Sequence, residues 1–126
     1  MATLPAIPEF FNTTITVLRT ADGSGNACDG KYNVVYGNPK VTDRSANAIF
    51  NYQLADPTPK EIRFTGMRVE GETGTHQLSE PTISVDGRMI TFSDANTETV
   101  LMNLTFKWRD CIEFEHDPQV GNIPPT

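Results

Sequence analysis

The segment Arg19–Tyr32, RTADGSGNACDGKY, sets Asp22, Ser24, Asn26 and Asp29 among three glycines. Oxygen-bearing side chains at alternate loop positions are what a hard cation such as Ca²⁺ requires. A helix-loop-helix calcium loop takes oxygen ligands at positions 1, 3 and 5, glycine at 6 and a bidentate acid at 12. Counted from Asp22, the first three are Asp22, Ser24 and Asn26, but the glycine position holds Ala27 and the acid position Asn33. No helical periodicity flanks the segment. Asp22, Asn26 and Asp29 therefore stand as candidate ligands of a less regular metal site only, one that draws carboxylates from a second loop. The competing reading is that Asp, Asn, Ser and Gly fill turns for local backbone reasons.

Other chemistry is sparse. His76, in EGETGTHQLSEP, has Glu70, Glu72 and Glu80 nearby but no second histidine at ligand spacing. His116 is flanked by Glu115 and Asp117, and neighbours in an extended chain point to opposite faces. Both read as solvated side chains. No nucleophile-and-base motif and no glycine-rich phosphate loop occurs, so no catalytic residue and no cofactor is expected and the chain reads as non-enzymatic. Asn12 and Asn103 each open an Asn-X-Thr pattern, but both fall in expected strands and the motif matters only where glycans are added.

Sixteen acidic against ten basic residues give a formal charge of -6, which repels phosphate backbones and anionic lipid heads. Neither nucleic acid nor membrane is an expected partner. No apolar run reaches membrane-spanning length and the first residues lack signal-peptide character, so a cytoplasmic location is expected. Cys28 and Cys111 are the two cysteines; they form a disulfide, a reactive pair or two inert thiols, and the lack of an export signal favours the reduced state.

The elements that must position these residues are strands. Period-two alternation recurs over residues 11–19, 31–36, 47–54, 61–70, 82–85, 88–93 and 99–109, the last continuing toward 115, and no window shows a helical stripe. In the last run Val100, Met102, Leu104, Phe106 and Trp108 share one face. The same alternation turns Phe11, Ile15 and Val17 inward, and likewise Ala48, Phe50, Tyr52 and Leu54. Gly66, where the parity of Ile62 and Phe64 passes to Met67 and Val69, predicts a β-bulge. Asp86-Gly87 between alternating runs predicts a type I′ hairpin turn. A bend is expected near Asp110.

Seven short strands in one domain spanning residues 1–126, with extended proline-rich tails, predict an all-β, antiparallel, immunoglobulin-like sandwich; a small closed barrel is the alternative. With strands running alternately up and down, one end gathers Asp22, Asp29, Asp56, Asp86 and Asp110. The other gathers Asp43, Glu72, His76, Glu80, Asp94, Asn96 and Glu98.

The segments NYQLADPTPKEIRF, ISVDGRMITFSDANTE and EFEHDPQVGNIPPT resemble the small bacterial DP-EP family. Asp117 and Pro118, with the later Pro124 and Pro125, carry the resemblance, although Ile123 stands where the family name leads one to expect Glu. The resemblance implies a compact β-sandwich of bacterial origin and carries no functional residue over.

The function expected is a non-enzymatic module that binds a protein partner or itself as a homodimer through a sheet edge. Asn12 to Leu18 contain neither charge nor proline to discourage such pairing. A calcium- or small-ligand-binding module using loop carboxylates is the second expectation.

Overall fold

A computed structural model of the chain describes residues 9–70, 77–108 and 119–125. The elements are β1 (Glu9–Arg19), β2 (Tyr32–Tyr36), β3 (Lys40–Asp43), β4 (Ala48–Leu54), β5 (Phe64–Glu70), β6 (Thr82–Ile83), β7 (Met89–Asp94), β8 (Val100–Trp108) and β9 (Gln119–Asn122). They form one five-stranded sheet in the order β2-β1-β4-β7-β6 and one four-stranded sheet in the order β3-β9-β8-β5. Two sheets with a shared apolar interior make a β-sandwich, as the alternation implied.

The inward parities hold. Ile15, Val17, Phe50, Tyr52, Met102, Leu104, Phe106 and Trp108 are all buried, and Phe11 stacks on Phe50, which stacks on Phe92, with ring centroids 4.9 and 5.4 Å apart. Across the layers, Tyr52 of the first sheet meets Phe106 of the second at 4.9 Å. Aromatic contacts of this kind tie the sheets together beyond the area they bury. The register of β5 on β8 slips between Phe64 and Gly66, the bulge that the change of parity required.

Three expectations need correction. The described residues form nine strands, and the pairing is mixed because β1 runs parallel to β4 and β3 parallel to β9. Within the extended C-terminal segment, Gln119–Asn122 is β9, paired on both sides, with Val120 fully buried. The Asp86-Gly87 turn is not type I′, since only Gly87 has positive φ, at 72°. Gly87 N–H donates to the Ser84 carbonyl and Ser84 N–H to the Met89 carbonyl, a type I turn closed by a left-handed glycine.

The strand expected to offer an edge, β1, lies inside its sheet, with β2 and β4 on its two sides. Its second half, Ile15–Arg19, pairs with β2, and its first half, Glu9–Ile15, with β4. Among the described residues no helix is long and apolar enough to cross a membrane. His76, Asp110, Cys111 and His116, and the bend expected near Asp110, lie outside the described residues.

Candidate functional site

The loop from Asp22 to Gly30 is built by its backbone. Gly25 and Gly30 pack so closely that a Cβ would lie 2.1 Å from the Tyr32 carbonyl oxygen and 1.9 Å from the Gly23 carbonyl oxygen respectively, so both positions require glycine. Cys28 and Asp29 both have positive φ, 56° and 57°, and Gly30 N–H closes the turn onto the Ala27 carbonyl. Asp22 Oδ1 accepts from the Ser24 N–H and hydroxyl at 3.1 and 2.6 Å. Asn26 accepts from Val34 N–H at 2.7 Å and donates to the Val34 carbonyl at 3.0 Å. The candidate ligands Asp22 and Asn26 thus hold a turn and the middle of β2 with the atoms a metal would use, and Asp29 is exposed in the turn. Beside the loop, Arg19, Thr20, Lys31 and Tyr32 line a cleft of about 210 Å³. Cys28 is disulfide-bonded, against the reduced state favoured above.

The opposite end carries a different arrangement. Asp43 closes β3, Asp94 closes β7, Asn122 closes β9, and Asn96 and Gln77 flank Asp94 from the adjoining segments; all five are between 0 and 2% exposed. Asp43 Oδ1 accepts from the Ser45 N–H at 2.9 Å and hydroxyl at 2.6 Å. Asp94 Oδ1 accepts from Asn96 N–H at 3.1 Å and Asn122 Nδ2 at 2.9 Å. Asn96 Nδ2 donates to the carbonyls of Asp43, Ser45 and Ile123 at 3.0, 2.7 and 3.2 Å, joining β3, its following turn and the end of β9. Gln77 binds the next turn, accepting from Thr97 N–H at 2.8 Å and from Asn122 Nδ2 at 3.3 Å.

The two carboxyl groups abut. Burial first, then the hydrogen bond with the Asp43 side chain, pushes the Asp94 carboxyl up to about 7, against the lowering effect of Asn122 and Asn96. A carboxylate held out of water beside another ionises less readily, so Asp94 retains its proton into the neutral range. Asp43 Oδ2, Asp94 Oδ2, Asn96 Oδ1 and Asn122 Oδ1 have no hydrogen-bond donor. Among the described residues no three His, Cys, Asp or Glu side chains gather into a metal-binding group, so these oxygens come equally from acids and amides. The sequence placed Asp43, Asp94 and Asn96 at one end of the sandwich, and there they meet. Asn122 and Gln77 were missed, the first because QVGN read as tail and the second because a lone glutamine before a strand carries no signal.

A third feature is a surface. The outward positions of the larger sheet are Phe10, Asn12, Thr14, Thr16 and Leu18 on β1, Asn33 and Val35 on β2, Ile49, Asn51 and Gln53 on β4, Met89, Thr91 and Ser93 on β7, and Thr82 on β6. None is charged. A row of amides and hydroxyls crosses it, Thr91 donating to Asn51 at 2.6 Å and Asn51 to Asn12 at 2.9 Å, with Phe10, Leu18 and Val35 exposed around that row. The smaller sheet presents Lys40, Arg68 and Lys107 outward instead.

A model of the DP-EP family matches residues 10–124 of the chain. No curated protein matches it.

Proposed function

The chain belongs to the DP-EP family, and we propose that it works as a non-enzymatic module that binds a second copy of itself through the outer face of its five-stranded sheet. The observation that carries this reading is the absence of charge from every outward position of β1, β2, β4 and β7, in a chain of which 21% is charged. Depletion of charge marks the centre of protein interfaces, whereas free surfaces keep charge for solubility. A copy carrying the same -6 formal charge is repelled elsewhere, and this face lets two copies meet without opposing like charges.

Size agrees with the reading. At about 4.8 Å between strands and a rise of about 3.3 Å per residue, the face is roughly 20 Å wide and 35 Å long, of the order of the ~800 Å² per partner in a standard interface. A twofold axis would set each Asn12-Asn51-Thr91 row against its copy, one surface serving both partners. The expectation of self-association through the edge of β1 is thereby revised to association through a face that includes β1.

Light scattering at micromolar protein is expected to give about twice the 13.9 kDa chain mass. Thr14→Lys and Gln53→Lys, both at exposed positions of the face, should return the protein to monomer with an unchanged circular dichroism spectrum. Thr42→Lys, exposed on the other sheet, should leave the dimer intact. A monomeric mass for the unaltered chain overturns the proposal.

A further inference from the structure

We propose that Asp43, Asp94, Asn96 and Asn122 form a buried site for a hard divalent cation, Ca²⁺ by its chemistry, at the end of the sandwich opposite the Asp22 loop. The first observation is the cluster itself: two abutting carboxylates, 0% exposed, with no ion pair to either among the described residues. The second, independent of the acids, is that the carboxamide oxygens of Asn96 and Asn122, 2% and 1% exposed, also accept no hydrogen bond.

The orientation of both amides follows from their surroundings. Asn96 Nδ2 faces three backbone carbonyls and Asn122 Nδ2 faces Asp94 Oδ1 and Gln77 Oε1. Turning either amide over would set oxygen against oxygen, so each nitrogen is fixed and each oxygen is left for another partner. Four acceptor atoms with no donor in a buried place demand something electropositive. A proton shared by the aspartates does nothing for the amide oxygens, whereas a cation held at this end of the sandwich would serve acid and amide oxygens alike.

Carboxylate and amide oxygens without nitrogen or sulfur select Ca²⁺, Mg²⁺ or Mn²⁺ over the softer metals. Mg²⁺ keeps several of its waters, which side chains this buried do not admit, while Ca²⁺ accepts protein oxygens in flexible number and geometry. The pair of aspartates supplies the two charges that balance it. Each element is anchored independently of the ion: Ser45 holds Asp43, the Asn96 N–H holds Asp94, and Gln77 holds Asn122. The oxygens are thus prepared before the ion arrives, which lowers the cost of binding.

The test uses the full chain stripped with EDTA and titrated with CaCl₂, read by calorimetry and by thermal melting. Heat uptake or release at one site per chain and a rise of several degrees in Tm at a hundredfold excess over Kd are expected. Asp22→Asn should keep the full response, and Asp94→Asn should lose it. If Asp94→Asn fails to fold, Asp43→Asn serves in its place: an amide oxygen there can still accept from Ser45, and the variant should lose the response likewise. A wild-type chain with no heat and no Tm change at millimolar CaCl₂ overturns the site, as does a response that survives Asp94→Asn or Asp43→Asn, or disappears in Asp22→Asn.

Discussion

Four aspartates of this chain make the same local contact and differ in how far they are buried. Asp22, Asp43, Asp86 and Asp94 each accept from the N–H two residues on, at Ser24, Ser45, Arg88 and Asn96, which is the turn chemistry expected of Asp. Where water covers them, the hydrogen bonds decide: the hydroxyls of Ser24 and Ser84 foremost hold Asp22 and Asp86 below the ordinary carboxylate value. Where the sandwich covers Asp94, burial decides, and its carboxyl rises to about 7. Its folded value thus lies above its unfolded value of 3.8, so the stability it lends is fully present below about pH 4 and is lost as pH rises through about 7. In EDTA, the urea midpoint of the wild type relative to Asp94→Asn should fall across that window, and parallel profiles for the two proteins would refute the assignment. The local turn was legible in sequence because it needs only residues two apart. The reversal of sign was not, because it depends on β3, β7 and β9 meeting.

At the scale of elements, alternation identified the long strands and the short β2 and β6, and failed on β3 and β9. Strand β8, nine residues long, carries its own pattern; β3 and β9 have four residues each, and in KVTD and QVGN the only large apolar side chain is one valine. β3 and β9 pair with each other in parallel across a long stretch of sequence, and local composition does not encode that. The edges show a related economy. Strand β2 ends the larger sheet, and the Asn26 side chain takes both polar atoms of Val34, standing in for the missing neighbour and blunting the edge. Asn26→Ala should therefore cost about 1–3 kcal/mol in urea denaturation, the usual loss when part-buried groups give up two hydrogen bonds, and leave the CaCl₂ response unchanged. An Asn26→Ala protein as stable as the wild type would remove Asn26 from the fold's supports.

The whole molecule joins two sheets by connections that cross between them, and its disulfide must be weighed against that topology. β1 pairs with β2 and β4, β3 with β9, and β5 with β8, so most contacts are non-local and the unfolded chain must forfeit much loop entropy before they form. A crosslink that restricts the unfolded chain offsets part of this cost. Cys28 is disulfide-bonded, Cys111 is the one other cysteine in the chain, and Cys28 itself sits at positive φ in the turn that returns β1 to β2. The reduced thiols expected from sequence rested on an expected address and not on this turn. Removing a native disulfide from a small domain typically costs about 2–5 kcal/mol, and Cys28→Ser should lie in that range by urea denaturation. Since the bond acts on the unfolded ensemble, the spectrum of the folded protein should not change. A thiol count on wild-type protein unfolded without reductant should find no free thiol; finding two would show that the chain folds with its cysteines apart and that the sheets hold together by packing alone.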